Sequence, residues 1–409
     1  MRFIHTSDWH IGHRLYGQKR YQEFEQFLDW LITYSTEQTV DALLVSGDIF
    51  DSTTPGNRAL TLYYQFLHRI AHTSCRNVII IAGNHDSPTL LDAPRELLSQ
   101  INVHVIASPR DLPEEQVFLV EGADETDKMI VCAVPFLRDR DIRSAAAAED
   151  MATKSKKLQE EIRSHYQKVC AAAENIRNQH DAPLPIVAMG HLFTAGGRTV
   201  DGDGVRELYI GGLAHLHSSG FPDVIDYLAL GHLHIAQRVS GKEQYRYCGS
   251  PLPMGFNEAD QQKFILDVSL VPTDLQITPV HVPRFQDLVR LQGNLTSLTD
   301  SIRKLAEQES TAWLEICYSG SSDPRRLRQH LQDVVQGTLL TILRIRTNHS
   351  ATTHLQQQKP TESLDDLSVE EVFERCLASA DYTPEQCTDL RLTFQKVVAS
   401  LDQEDIDRG

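Results

Sequence analysis

Val78-Ile79-Ile80-Ile81-Ala82-Gly83-Asn84-His85-Asp86 is an unbroken apolar run that stops at a glycine and then delivers three polar side chains in succession. Four β-branched residues in a row favour a strand over a helix, and an apolar stretch this short fits a strand buried on both faces. Gly83 marks a point where the backbone can turn sharply and approach another group closely. The same order recurs at Leu43-Leu44-Val45-Ser46-Gly47-Asp48, Ile186-Val187-Ala188-Met189-Gly190-His191 and Tyr227-Leu228-Ala229-Leu230-Gly231-His232. In open α/β sheets, sites gather beyond the carboxyl ends of the strands. Four such ends, each with a metal-competent donor behind a glycine, predict one crevice where the donors converge.

Upstream of this stretch, Phe3 to Thr6 reads as a first strand running into Ser7-Asp8-Trp9-His10. Tyr21, Phe24, Leu28, Leu31 and Ile32 then recur at helical spacing, so the first eighty residues have the βαβ rhythm of a parallel sheet. Further strands are expected at Asn102 to Ile106, Gln116 to Val120 and Met129 to Val134, and helix over Ala145 to Gln179. The alternating segments Tyr245 to Cys248, Phe264 to Leu270 and Leu275 to Val282 predict a second, more antiparallel sheet, with helices outside both. Past Pro283 the order β-α-β-α-β is enough for a small separate domain. It carries Arg325, Arg326, Arg328, Arg344 and Arg346, the densest basic grouping in the chain. A nucleic-acid contact surface and an ordinary solvated face fit those arginines equally well. Residues 348–364, with Gln356-Gln357-Gln358 and Pro360, read as a linker. Beyond it, a capping box at Ser368-Val369-Glu370-Glu371 and a Thr383-Pro384 start open two short helices. These either pack back on the body or dock a partner protein.

Composition narrows the class. With 409 residues, 41% hydrophobic and 23% charged, the chain can bury a substantial core divided among two or three domains. The opening Arg2-Phe3-Ile4-His5-Thr6 lacks a leader pattern, and no apolar run reaches membrane-spanning length, so a cytoplasmic protein with no membrane partner is expected. Seven cysteines without a Cys-x-x-Cys indicate neither a disulfide framework nor a thiolate zinc site. The net charge of -17 argues against a surface that grips nucleic acid unaided. Yet from Thr361 onward there are 4 basic and 13 acidic residues, so more than half of that charge sits in one terminal segment.

The donors define a chemistry. Asp8 and His10 stand two apart, as do His232 and His234, and in an extended chain such neighbours point to one face, so each pair could serve one metal. With Asp48, Asn84 and His191 they make seven oxygen and nitrogen donors and no sulfur, a set suited to Mn²⁺, Fe or Zn²⁺. One carboxylate bridging two ions would create the two-metal clamp used for phosphoester displacement. Two divalent ions against Asp8 and Asp48 leave a positive centre, so substrate attraction needs no basic protein. His85 is placed to protonate the leaving oxygen. Asp86 fits two roles equally, orienting His85 or capping the turn. His5, His13 and His217 lack comparable placement and read as structural or surface groups. Singly, a histidine or a Gly-Asp after a strand is more often structural than metal-binding; their repetition at strand ends favours the site.

Asp8-x-His10, Gly47-Asp48-x-x-Asp51, Gly83-Asn84-His85-Asp86, Gly190-His191 and Gly231-His232-x-His234, in this order, resemble the signature of the calcineurin-like metallophosphoesterases. His5 to Gly12, Tyr247-Cys248-Gly249-Ser250-Pro251 and Leu367 to Phe373 extend the resemblance to the nuclease-subunit family of bacterial SbcCD complexes, over essentially the whole chain. The resemblance implies a four-layer α-β-β-α sandwich of the α/β class over residues 1–282, an α+β DNA-capping domain over 283–347, the linker, and a helical ATPase-docking region over 365–409. It implies one Mn²⁺ held by Asp8, His10, Asp48 and His234, a second held by Asp48, Asn84, His191 and His232, and His85 with Asp86 as the catalytic pair. It further implies a homodimer within a heterotetramer, cutting DNA ends and hairpins under control of an SMC-like ATPase of the SbcC type. Arg325, Arg326 and Arg328 would then be DNA contacts. Where relatives commonly carry a histidine, this chain has Asp51. Two other readings are a phosphodiesterase or phosphatase for small substrates and a scaffold that tethers DNA ends. The roughly 130 residues after the catalytic domain weigh against the first, and the intact donor set against the second.

Overall fold

Short apolar strands alternating with amphipathic helices can bury both strand faces only if helices cover one side and a second sheet the other. The computed structural model adopts that solution. It describes residues 1–122, 127–138, 141, 151–194, 216–271, 274–320 and 324–347, with the isolated positions 373, 377, 390, 391 and 394. Strand β1 (Arg2–Thr6) is followed by a small hairpin of β2 (Arg14–Leu15) and β3 (Gln18–Lys19). Helix α1 (Tyr21–Glu37), β4 (Ala42–Ser46), α2 (Asn57–Ile70), β5 (Asn77–Ile81), the short helices α3 (Pro88–Asp92) and α4 (Arg95–Ser99), and β6 (Val103–Ile106) complete the first half. Strands β1, β4, β5 and β6 run parallel in that order.

The second half opens with β7 (Val117–Glu121) and β8 (Lys128–Ala133), followed by the long helix α5 (Met151–Arg177), β9 (Ile186–His191) and β10 (Tyr227–Gly231). Strands β11 (Gln237–Val239) and β12 (Lys242–Tyr247) complete a six-stranded sheet in the order β11-β12-β10-β9-β8-β7. Alternate residues explain the unbroken apolar runs. Ile4, Leu43, Val45, Val78 and Ile80 pack with Phe24, Phe27, Phe66 and Leu67 of α1 and α2, while Ile130, Ile186, Ala188 and Leu228 pack with Val169 and Ala173 of α5. Between the sheets lie Phe3, Leu44, Ile79 and Ile81 from one and Val131, Val187, Met189 and Ala229 from the other. Each such Val, Leu or Ile contributes roughly 1.5–3 kcal/mol by leaving water. The result is the expected α-β-β-α sandwich.

Two features differ from the sequence reading. The alternating segments expected to close the second sheet, now β13 (Phe264–Val271) and β14 (Asp274–His281), extend the first sheet instead: β13 pairs antiparallel with β1 through Phe3 and Val268, and β14 with β13. Alternation reveals a half-buried strand but not the edge that receives it. The four central strands of the second sheet are parallel, and only its outer strands β7 and β11 are antiparallel. Helix α5 lies between β8 and β9, which permits a parallel crossover there.

The chain divides into two compact units. The larger holds residues 1–290, 310–315 and 339–344; the smaller holds the described residues of 291–309, 316–338 and 345–409. By compactness the division falls inside β15 (Leu288–Gly293), β16 (Trp313–Tyr318) and β17 (Thr341–Thr347). Within the smaller unit, α6 (Leu295–Glu307) is capped by the Asn294 side chain, which accepts from the Ser297 N–H at 3.0 Å. Helix α7 (Pro324–Val335) completes the β-α-β-α-β order read from the sequence. The linker at 348–364 and most of the helical region at 365–409 lie outside the described residues; of the latter, Phe373 and Phe394 stack with ring centroids 4.0 Å apart. Among the described residues no helix is long and apolar enough to cross a membrane, and the cysteines are free thiols.

Candidate metal centre

The donors sit where strands end. Asp8 and His10 follow β1, Asp48 follows β4, Asn84 and His85 follow β5, His191 closes β9, and His232 and His234 follow β10. Backbone bonds carry the β1–β4 ladder on past the strands, with the Asp8 N–H donating to the Gly47 carbonyl at 2.9 Å and the His10 N–H to that of Asp48 at 3.0 Å. Asp8, His10, Asp48 and His232 all have positive φ, between 48° and 100°, a region non-glycine residues seldom occupy. Strain held at four donors points to a site whose geometry outweighs local preference. The glycines answer to crowding: a Cβ at Gly83 would lie 2.1 Å from Asp48 Oδ1, and one at Gly231 would lie 1.9 Å from the Ser46 carbonyl oxygen.

All seven predicted donors are brought together. Donor atoms of Asp8, His10 and His234 lie within 4.8 Å of one another, as do those of Asp48, His191 and His232, and those of His10, Asp48 and His85. Asp48 Oδ2 stands between the histidines, 3.6 Å from His10 Nε2 and 3.3 Å from His191 Nε2. Asn84 Oδ1 is 3.0 Å from His191 Nε2 and 2.9 Å from His232 Nδ1, and His10 Nε2 is 3.2 Å from His234 Nε2. The expectation that His232 and His234 serve one metal as extended neighbours is corrected here. β10 ends at Gly231 and His232 turns to φ 100°, so the two histidines face different groups instead of sharing one.

Burial sets the charges. It lifts the Asp8 carboxyl to about 7, with Asp48 adding repulsion against the pull of His191. It pushes His10 down to about 4 and His232 to about 3, and His234 well below the ordinary imidazole value. His191 is the exception: burial disfavours its proton, but the Asp48 carboxylate outweighs that and raises it to about 9. Asp48 is correspondingly held well below the carboxylate range, against burial, by His191. Neutral imidazoles offer lone pairs, and His232 Nε2 and His234 Nδ1 are buried without a hydrogen-bond partner. An oxygen and nitrogen donor set with two carboxylates and no sulfur fits Mn²⁺, Fe or Zn²⁺.

Residues 1–236 match the calcineurin-like phosphoesterase family, and residues 284–380 match a family described as the type 5 capsule protein repressor C-terminal domain. The chain is 35% identical over 404 residues to SbcD of the nuclease SbcCD from Escherichia coli strain K12, covering 98% of each. This chain belongs to the SbcD family. Its counterpart of the same name in Bacillus subtilis is 27% identical over 384 residues, 92% of each chain, and that of Rhodobacter capsulatus 32% over 290 residues, 69% of each. Family membership makes this chain a phosphoester hydrolase.

In this SbcD-family chain, His85 and Asp86 part company. The Asp86 carboxylate accepts from the N–H groups of Gly83 at 2.8 Å, Phe50 at 3.0 Å and Ile49 at 3.2 Å, so it caps the loop and makes no hydrogen bond to the His85 ring. His85 Nδ1 instead meets the Asp51 carbonyl oxygen at 2.9 Å, and its backbone N–H donates to Asp48 Oδ1 at 2.9 Å. An open cleft of about 590 Å³ leads to the centre, lined among others by His10, His13, Arg14, Asp51, His85 and His234. His13, which its position in the sequence marks as structural, is bonded to Asp51 Oδ1 at 2.9 Å and to the Met254 carbonyl at 3.1 Å. Gly12 precedes it but no apolar strand runs into that glycine, so the strand-end signal that found Asp48, Asn84, His191 and His232 misses it. Arg325, Arg326 and Arg328 are exposed on α7 in the smaller unit, around a buried Leu327, and belong to none of the donor groups.

Proposed function

We propose that this chain is a Mn²⁺-dependent DNA nuclease, exonuclease on duplex ends and endonuclease on hairpins and single strands, working in DNA repair and recombination. Asp8, His10, Asp48 and His234 would hold one cation, and Asp48, Asn84, His191 and His232 the other. The observation that carries this reading is Asp48 Oδ2 between His10 and His191, with the remaining donors ranged on either side. Its partners would be an SbcC-type SMC-like ATPase, bound through the helical region at 365–409, and a second copy of the chain in a heterotetramer, all in the cytoplasm. Residues 1–282 would be the nuclease domain and 283–347 a DNA-capping domain.

When bound, the cations supply Lewis-acid polarisation of a phosphodiester and an activated water. The protein contributes the rest. Strand ends fix the donors, loop strain holds their angles, and the fold excludes water from behind the histidines. With Nδ1 tied to the Asp51 carbonyl, His85 keeps Nε2 as the nitrogen free to protonate the leaving oxygen. The deciding experiment compares a hairpin-ended duplex with bis-p-nitrophenyl phosphate, with Mn²⁺, with and without the ATPase and ATP. Stimulation confined to DNA cutting is expected. Efficient turnover of the small ester with DNA left intact would move the assignment to a small-substrate phosphodiesterase.

Cation binding should tighten as pH rises. Cations bind the deprotonated forms, and in the cation-free protein at neutral pH His191, at about 9, carries its proton while Asp8, at about 7, is about half protonated. Loading at pH 7 should therefore release roughly one to two protons, measurable by calorimetry in buffers of different ionisation enthalpy. Affinity that is flat between pH 6 and 9 contradicts this.

Two regions can be tested separately. Replacing Arg325, Arg326 and Arg328 together should weaken DNA binding and lower its salt slope by roughly one to three, about one for each lost phosphate contact. An unaltered slope returns those residues to a solvated face. Ending the chain at Lys359 should preserve Mn²⁺-dependent cutting of exposed ends and abolish association with the ATPase, read by co-purification; retained association refutes the docking role.

A further inference from the structure

Behind His234 lies a buried charge pair that the reaction outlined above does not use. Glu258, at the end of the 3₁₀ turn Phe256–Glu258, is fully buried, and Lys263 nearly so. Glu258 Oε2 receives Lys263 Nζ at 2.5 Å and the Met254 N–H at 3.1 Å. Its other oxygen, Oε1, has no hydrogen-bond partner. The atom facing it, 3.9 Å away, is His234 Nδ1, which is also buried and unpartnered. The opposite nitrogen of that ring, Nε2, points into the donor group of Asp8 and His10. A buried ion pair is costly to desolvate and rarely adds net stability, so its placement calls for another reason.

The same pair grips the His234 backbone. Lys263 Nζ donates to the His234 carbonyl at 3.1 Å and to Ser250 Oγ at 3.0 Å, while the Ser250 N–H donates to that carbonyl at 3.2 Å. Gly249 has φ +78°, and a Cβ there would lie 2.8 Å from the His234 carbonyl oxygen. The segment Tyr247-Cys248-Gly249-Ser250-Pro251, so far without a role, thus forms one wall of a clamp around this histidine.

We propose that Glu258 is a positioning residue for His234. Glu258 Oε1 accepts the Nδ1–H of His234 when Nε2 binds a cation, which fixes the tautomer and ring angle, and Lys263 neutralises the carboxylate and anchors the backbone. This rests on the assignment of Asp8, His10 and His234 to one cation. A small ring rotation closes the 3.9 Å gap and satisfies both orphaned atoms.

The test is Mn²⁺ binding to the full chain, followed by electron paramagnetic resonance of free Mn²⁺, for wild type, Glu258→Gln, Glu258→Gln combined with Lys263→Met, and His234→Ala. Glu258→Gln should weaken one of two sites by about 10–100-fold and spare the other. The double variant, which leaves no uncompensated buried charge, should show the same loss. Isotherms superimposing on wild type while His234→Ala loses a site overturn the positioning role alone. No loss even in His234→Ala overturns the cation assignment beneath it. Should the Glu258 and Lys263 variants not fold, ¹⁵N spectra of histidine-labelled wild type loaded with Zn²⁺ decide. A protonated, hydrogen-bonded Nδ1 on His234, assigned by its absence from His234→Gln, is expected; an unprotonated Nδ1 overturns the proposal.

Discussion

His85→Gln is expected to bind Mn²⁺ as wild type does and to cleave DNA about 10²–10⁴-fold more slowly, the usual worth of a positioned proton donor. The ring is half-buried at the cleft, close to the cluster yet outside the seven assigned donors, and packs edge-on against His10 with centroids 4.8 Å apart. Its Nδ1 is held by the Asp51 carbonyl, so proton donation falls to Nε2. Glutamine can keep a hydrogen bond toward Asp51 but has no acidic proton to give. The loss should therefore appear in kcat with little change in KM, and should shrink for a substrate whose leaving group needs no protonation, such as a p-nitrophenyl ester. Equal losses on both substrates, or normal turnover of DNA, remove His85 from this role. Weakened Mn²⁺ binding would instead make it a ligand, which its reach to His10 and Asp48 allows.

The strand-end repeats made the fold and the centre legible together. A glycine between an apolar run and a donor is a local signal with a steric cause, visible in the contacts that a Cβ at Gly83 or Gly231 would make. That signal located donors on both sheets without knowledge of their pairing. What it could not carry was partner choice. Leu266, Val268 and Leu270 announce a half-buried strand, but only tertiary packing decides that β13 lies against β1 and not in the second sheet. Spacing misled at His232 and His234 because i, i+2 reasoning assumes an extended backbone, and the chain leaves that conformation immediately after Gly231.

Residues acting behind the donors left no local trace. Asp86 sits within the signature yet bonds three backbone N–H groups, a role decided by how the loop after β5 folds over that after β4. Glu258 and Lys263 lie more than twenty residues beyond His234, in a stretch without periodicity, and their relation to it exists only in three dimensions. Asp51 shows both limits at once: its carboxylate meets His13 while its carbonyl holds His85, and only the former is a side-chain property that sequence could suggest.

Asp48→Asn should lose both cations, whereas Asp8→Asn should lose one. The difference follows from a single atom. Asp48 Oδ2 is within 3.6 Å of His10 Nε2 and 3.3 Å of His191 Nε2, so it reaches a histidine of each donor group, whereas Asp8 groups only with His10 and His234 among the described residues. An amide keeps the shape but removes the charge that both cations would share, and its –NH₂ cannot serve as a donor to metal. Affinity at both sites should fall at least about 100-fold and cleavage roughly 10³-fold or more, since the cations supply several kcal/mol of transition-state stabilisation. Equilibrium dialysis with elemental analysis reads the stoichiometry directly, and one Mn²⁺ retained at wild-type affinity would end the bridging assignment. The cation-free protein offers an independent check. Asp48 is held below the carboxylate range and His191 is raised to about 9, so the pair's contribution is present above the unfolded carboxylate value, begins to fade above the ordinary imidazole value and is gone once the pH has passed through 9. Cation-free Asp48→Asn should therefore melt below wild type at pH 7, with the gap narrowing between about pH 6.5 and 9 and changing no further once His191 has given up its proton in the wild-type protein. A gap that does not change with pH would mean that the Asp48–His191 pair is not the source of the lost stability.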